Sequence, residues 1–577
     1  MKKGLLLCML MTAQFTCADN ARLTANELQT AYQIRQGCGY RDTIGNPVIT
    51  IDDLNPDEAN IPNYAAMFTK GLPHDPVSGL LTPVGITSYQ QLLKAMNTGN
   101  QSDYNAIVLG GTRGLVSPQS GFTFSLQGKD CSLFLALQPW SITSPVAAAE
   151  MLELYWMAIC RDVLFSDYGT GSGTDADGLG GSLTNDAAAV LSSLGSAFKG
   201  PRNMSGFVDA TVLFRGNYAG ALVGPYISQF YYQSMHRAQL SQEPVLQLFP
   251  IAGPREFGVA WVDYIAIQNG TVPHPYIPSD FGASRYISVG RDISTAVHND
   301  APNEECVNLA NILQFNGFPL SSALPYYNGS MPKEAAFADM SLPELYGTMG
   351  AGITEALKAA WSNKWRSYRV LRPEEFGGLV DQVKTTSTNP YGIDASMFAV
   401  HAGLDTLQVT YNRNSLQSVY YPSENVQTYL LPQVFPEGSP VHPSYPQGHG
   451  TVAGACATII KAYFENDVLI SAHMTPMIPN PANLTQLIPL ADGTQNLLTV
   501  AGEIDKLACD VAAGRNFAGI HYRQDADNGI LLGEQVGIAW LQDQARLYSE
   551  ELFTGFVLRT FSGQKIRVSA SGVTALS

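Results

Sequence analysis

Six long stretches of the chain repeat apolar residues at steps of three and four. They are Val146 to Phe165, Asp186 to Phe198, Pro343 to Arg369, Thr451 to Phe464, Asn496 to Ala513 and Ile530 to Phe553. That period suits an amphipathic helix, whereas a half-buried strand alternates every second residue. Phe556 to Ser569 does alternate, around Ser562-Gly563, and reads as a closing hairpin. The class is therefore mainly α. The clearest helices crowd into the second half, which predicts a helical bundle over residues 311–577 behind an N-terminal helix-and-loop region over residues 19–310. Pro244 to Pro278 and Tyr420 to Pro446 are proline-rich and read as extended connections. The glycine- and aspartate-rich stretch Ser166 to Ser182 reads as a surface loop or lid.

Charge narrows what such a bundle can bind. Only 14% of residues are charged and the formal net charge is −16, so the surface repels nucleic acid and offers anionic lipid no basic patch. An anion can bind only where the few lysines and arginines gather, which makes each basic cluster informative. Lys2 and Lys3, the apolar run Gly4 to Met11 and the small residues Thr16-Cys17-Ala18 read as a signal peptide over residues 1–18. The mature chain is then expected to be secreted or periplasmic. No segment has ~18 uninterrupted apolar residues, so no membrane span is expected. Beyond the leader, Cys38, Cys131, Cys160, Cys306, Cys456 and Cys509 contain no CxxC pair, which argues against a zinc site. In an exported chain some can form disulfides, while Cys456, in a run of small residues, equally suits a buried free thiol.

Three clusters carry chemistry. The first runs from Lys364 to Glu374; on a helix Lys364 and Arg372 are about 80° apart, and Pro373 places Arg372 where the helix ends. Alone, it reads as a solvated basic face. The second is His442-Pro443-Ser444-Tyr445-Pro446-Gln447-Gly448-His449-Gly450, ahead of a helix beginning near Thr451. Backbone N–H groups at a helix start suit an anion, and a histidine there is a candidate acid or base. Read blandly, it is a capped loop with a packed histidine. The third, Gly514 to Asp525, offers Arg515 for paired bonds to an oxyanion, and His521 with Asp525 four residues on to hold its second ring nitrogen.

Together the clusters gather cations, two histidines and glycine N–H groups for one tetrahedral oxyanion. The ordered pattern Lys-x7-Arg-Pro, Pro-x-Gly-His and Gly-Arg-x5-His-x3-Asp, from Lys364 to Asp525, resembles the vanadium haloperoxidases and the acid phosphatases related to them. The resemblance implies a helical bundle core of that type. It further implies vanadate (V5+) as cofactor, with no haem and no flavin, and hydrogen peroxide, halide and small organic molecules as substrates. Lys364, Arg372 and Arg515 would neutralise vanadate oxygens, Gly448 would donate its N–H, and His521 would bind the metal, backed by Asp525. His449 would act as acid and base.

His442 matches a histidine of algal bromoperoxidases, Trp361 matches a brown-algal tryptophan, and the seven-residue gap after Lys364 is the algal form where fungal enzymes and phosphatases have six. These features point to bromide and iodide rather than chloride, and away from a phosphatase, in which the same histidine would attack phosphorus. Such enzymes form dimers or larger assemblies, so a homo-oligomer is expected. One departure stands out: Gln447 replaces the serine that usually precedes Gly-His. Its NH2 can donate to the same oxygen but fills more space, which leaves open a protein that binds an oxyanion without turnover.

Overall fold

Proline and hydroxyl side chains set where many of the helices begin. The computed structural model describes residues 51–577 apart from 53, 124, 126–128, 171–179, 236–244, 254–255, 277–280 and 400–427. The leader, Cys38 and the centre of the Ser166 to Ser182 loop lie outside the described residues. In the first half run α1 (Pro83–Thr98), α2 (Gln101–Asn105), α3 (Pro145–Cys160), α4 (Gly180–Ser193), α5 (Trp261–Gln268), α6 (Gly290–Ala296) and α7 (Glu304–Phe315). The second half adds α8 (Leu342–Trp361), α9 (Pro373–Thr386), α10 (Gly448–Tyr463), α11 (Val500–Phe517) and α12 (Arg523–Ala545). Thr82, Ser144 and Thr499 accept from the N–H of the third residue of α1, α3 and α11, and proline occupies the first turn of α1, α3, α8 and α9.

The molecule is organised around α10. Every residue of α10 except His449 is buried, the pattern of a helix surrounded by protein. α12 lies along it, α8 and α11 flank it, and α3 and α6 pack on the outer side of α11. Contact between α10 and α12 depends on two glycines. A Cβ on Gly533 would stand 2.0 Å from the Thr451 carbonyl oxygen, and one on Gly454 would stand 2.2 Å from that of Ile530. One continuous apolar cluster then extends from Ile61 to Val568.

Sheets are few and small among the described residues: β1 (Phe249–Ala252) with β2 (Phe281–Arg285), β3 (Met477–Asn480) with β4 (Asn483–Pro489), and a C-terminal meander. That meander pairs β5 (Phe556–Arg559) with β6 (Lys565–Ser569) and β6 with β7 (Gly572–Ala575). The expected hairpin is therefore present, extended by a third strand. Its Phe556, Leu558, Ile566 and Val568 are buried and close the bundle over α10 and α12.

Other differences have local causes. The Pro244 to Pro278 stretch contains β1 and α5, whose Tyr264, Ile265 and Ile267 are buried. α12 starts seven residues earlier than its apolar period, because Asp525 caps the Tyr522 N–H at 3.1 Å. The expected helix to Arg369 ends its α geometry at Trp361. Ser362–Tyr368 form a π-helical segment, with Arg369 N–H donating to the Lys364 carbonyl at 3.0 Å, and Arg369 then turns left-handed at φ 45. Cys131, Cys160, Cys306, Cys456 and Cys509 are all buried, and Cys306, Cys456 and Cys509 are free thiols. Cys131 Sγ donates to the Thr123 carbonyl at 2.9 Å, as a weak thiol donor can. No helix among the described residues is long and apolar enough to cross a membrane.

Gly533→Ala is expected to lose about 1–3 kcal/mol through overpacking against α10. Gly347→Ala, on the exposed face of α8 where a Cβ meets nothing within 4 Å, is expected to gain up to about 1 kcal/mol from helix propensity. Thermal or urea denaturation of the two variants checks the opposite signs.

Candidate active site

Three helices begin at one place, and the three sequence clusters meet there. Arg372 caps α9, and its backbone N–H is fixed by the Glu375 carboxylate at 2.6 Å. Gln447 caps α10, and its N–H donates to the Asp525 carbonyl at 2.9 Å, joining the start of α10 to that of α12. Gly448 follows as the first residue of α10, in the turn whose N–H groups have no acceptor within the helix. Space for a side chain is tight: a Cβ would approach the Trp361 ring to 3.3 Å.

Three cations line this junction. Lys364, in the π segment, donates from Nζ to the carbonyls of Pro443 (2.8 Å) and Ser444 (2.6 Å). Arg372 donates from Nε to the His442 carbonyl (2.8 Å) and from Nη1 to that of Ile520 (2.9 Å). Arg515, in the last turn of α11, donates to the Val297 carbonyl and stands 5.6 Å over the Phe435 ring; its Nε has no partner. Lys364 and Arg372 are 0% exposed and Arg515 4%, yet none makes an ion pair with a described carboxylate. Burial holds Lys364 well below the usual lysine range, and the charges of Arg372 and Arg515 push it further down. Burial likewise brings Arg372 and Arg515 to about 10. Arg515 also disfavours protonation of His442, His449 and His521, so its charge is felt at all three histidines.

The histidines are held in complementary ways. His521 Nδ1 lies 2.8 Å from Asp525 Oδ2, and a carboxylate only accepts, so Nδ1 carries the proton. Nε2 keeps its lone pair and accepts from Arg372 Nη1 at 3.0 Å. Burial, followed by the nearby cations, keeps His521 neutral. Asp525 is raised to about 6, chiefly by burial, and accepts a further bond from the Ser444 hydroxyl. His449 is turned the other way: Nε2 faces Asp300 Oδ1 at 3.0 Å, which leaves the lone pair on Nδ1 in the neutral ring. Burial and Arg515 lower its pKa, and Asp300 opposes them. His442 receives Arg372 Nη2 on Nδ1 at 3.0 Å, and its ring packs on Trp361 with centroids 4.8 Å apart.

Gln447 is completely buried. Its Nε2 donates to the Ala512 carbonyl of α11 at 3.0 Å, and its Oε1 has no partner. One amide hydrogen is thus committed to the scaffold. Lys364, Arg372, His442, His449, Arg515, His521, Asp525 and Trp361 all lie at the site, with Gln447 and Gly448 in its wall. Sequence reading missed Asp300 and Ser444. Ser444 stood inside the second cluster with a hydroxyl to place, whereas Asp300 is an isolated acid beyond α6 with no motif around it.

Comparisons with known proteins extend the likeness far beyond the motifs. Residues 344–550 match the family model for the VCPO second helical-bundle domain. The chain is 31% identical to the vanadium-dependent bromoperoxidase of Corallina pilulifera, an alignment covering 89% of this chain and 93% of that one. It is also 31% identical to the vanadium-dependent bromoperoxidase of Ascophyllum nodosum, covering 91% and 89%. The homohexameric structure of the second vanadate-dependent bromoperoxidase of Ascophyllum nodosum superposes with a TM-score of 0.81 at 28% identity, covering 96% of this chain and 92% of that one. A likeness that spans almost the whole of both chains includes the helices that build the pocket as well as the pocket itself, and the chain belongs to the vanadium haloperoxidase family, on its bromoperoxidase branch.

Proposed function

We propose that the pocket binds vanadate and that the enzyme uses hydrogen peroxide to oxidise bromide or iodide to hypohalous acid, which halogenates small organic molecules. The observation that carries this reading is the set of three buried cations without an ion-paired carboxylate. Asp525, Asp300 and Glu437 offset only part of this charge from beyond ion-pair distance; desolvated charge that is partly compensated is still costly, and a multiply charged oxyanion relieves all three cations at once. The donor set fits an oxyanion rather than a bare metal cation. No group of three described His, Cys, Asp or Glu residues is arranged for a metal ion, whereas three cations and a helix start gather near the unprotonated Nε2 of His521, which accepts from Arg372.

Bound vanadate would supply a Lewis-acid centre that makes peroxide open to attack by halide without a change of metal oxidation state. Lys364, Arg372 and Arg515 would hold its oxygens, and the start of α10 would add the Gly448 N–H and the positive end of the helix dipole. His521 would ligate it through Nε2, the nitrogen that now accepts from Arg372, because Asp525 fixes the proton on Nδ1. His449 Nδ1 would accept the proton that hydrogen peroxide gives up, with Asp300 orienting the ring. His442, packed on Trp361, borders the cations and bears on which halide is accepted. The phosphatase reading is not favoured, since the named relatives aligned over some nine-tenths of the chain are bromoperoxidases.

We further read the protein as a homo-oligomer, from the homohexameric relative, and as exported, from the leader-like residues 1–18.

Purified protein in phosphate-free buffer should brominate only when orthovanadate and peroxide are both present; bromination without vanadate would count against the assignment. His521→Ala should lose vanadate binding, whereas His449→Ala should retain it and lose about 10²–10⁴-fold in kcat, as measured by equilibrium dialysis and steady-state assay.

Asp300 raises the His449 pKa, so Asp300→Asn lowers it further and keeps the ring neutral to lower pH. The acidic limb of the kcat/KM profile should then move to lower pH. Gln447→Ser loses the bond to Ala512 and should cost about 1 kcal/mol of stability, while bromination is kept or raised. Inactivation would make the glutamine amide an essential part of the site.

A further inference from the structure

Arg515 and His449 sit on different helices, α11 and α10, yet one short segment beyond α6 holds both. The Val297 carbonyl accepts from Arg515, and Asp300 Oδ1 faces His449 Nε2. The segment has little regular structure of its own. Its backbone bonds, Val297 N–H to Ile293 and His298 N–H to Thr295, are long at 3.3 and 3.4 Å.

Between the two contacts, His298 is gripped from the opposite side. Its ring stacks on Phe435 at 3.7 Å and 5°, and its Nε2 donates to Glu437 Oε1 at 2.6 Å. Glu437 is itself fixed. Its carbonyl accepts from Lys70 Nζ (2.9 Å) and Arg113 Nη1 (3.0 Å), and the Gly438 N–H closes the turn onto the Phe435 carbonyl at 2.9 Å. Gly438 has φ 63, and a Cβ there would strike Glu374 Oε2, so the turn requires glycine.

We infer that the His298–Glu437 pair is a positioning device for the oxyanion pocket: it clamps residues 297–300 so that Val297 and Asp300 present Arg515 and His449 to the bound anion. This rests on the oxyanion reading above. Two effects of Glu437 can be separated. Its carboxylate also lies close enough to Arg515 to stabilise that charge. If charge alone mattered, removing it would leave Arg515 freer for an anion, and Glu437→Ala and Glu437→Gln would both bind more tightly. If positioning dominates, the two variants diverge, because a glutamine oxygen still accepts from His298 and alanine does not.

The test is calorimetric binding of inorganic phosphate to the full-length, vanadate-free protein, with melting temperatures measured alongside. Glu437→Ala should weaken binding about tenfold, whereas Glu437→Gln should stay within about twofold of wild type or bind more tightly. His298→Phe keeps the stack on Phe435 but has no donor, and should lose at least as much as Glu437→Ala, because the Glu437 charge stays beside Arg515. The double variant Glu437→Ala/His298→Phe should lose no more than either alone, as partners in one contact do. Binding by Glu437→Ala at or above the wild-type affinity, or losses that multiply in the double variant, would overturn the inference. Wild-type affinity for phosphate and vanadate-dependent bromination report separately on the oxyanion reading, so the two failures are distinguishable.

Discussion

The structure depends on keeping three positive charges in the interior without ion-pairing them to any described carboxylate. Lys364, Arg372 and Arg515 are satisfied by carbonyl oxygens of Pro443, Ser444, His442, Ile520 and Val297, which are dipoles rather than charges. Dipoles hold the side chains in place without cancelling their charge, so the electrostatic demand is passed to a ligand. Carboxylates in the same positions would have made a more self-sufficient core and a useless pocket. The carbonyls come from loops where helices end or begin, and α10 and α12, which frame them, are packed at glycine distance. The bundle thus serves to aim dipoles.

Two aspartates solve a second problem, which is choosing the nitrogen that each histidine offers. Asp525 occupies Nδ1 of His521 and leaves Nε2 facing the cations, while Asp300 occupies Nε2 of His449 and leaves Nδ1. Identical side chains become a ligand and a base through opposite ring orientations. The supporting acids come from different places. Asp525 is four residues from its histidine on the same helix start, whereas Asp300 reaches His449 across 149 positions of sequence.

That difference also explains how much was legible in the sequence. Groups close together in the chain, such as Lys364 with Arg372, Gln447 to His449, or Arg515 with His521 and Asp525, carry their spacing as a signal. The helices with a wide apolar stripe, α3, α8, α10, α11 and α12, were readable by period for the same reason. Asp300 gave no signal, because a lone acid acquires meaning only when the fold brings a histidine to it. α5 was hidden by neighbouring prolines, and α9 by Gly377-Gly378, which let the helix pass Leu431 and Tyr264 closely. Gln447 looked like an oxyanion donor from its place in the motif. Its amide nitrogen bonds the Ala512 carbonyl, a partner that only tertiary packing reveals.

The π-helical segment Ser362–Tyr368 separates two anchors that must not move: α8, packed in the bundle, and Arg372, pinned at the start of α9. A π turn takes up one residue more than an α turn over nearly the same distance. The segment is therefore a slack joint, where the chain stores surplus length within a continuous helix instead of expelling it as a loop. Lys364 lies inside that slack, so local winding brings its Nζ to the Pro443 and Ser444 carbonyls that hold it. Chain length at this joint is a tuning parameter: one residue more or less would rotate the lysine relative to two fixed arginines and alter the shape of the charge they present while leaving the scaffold as it is.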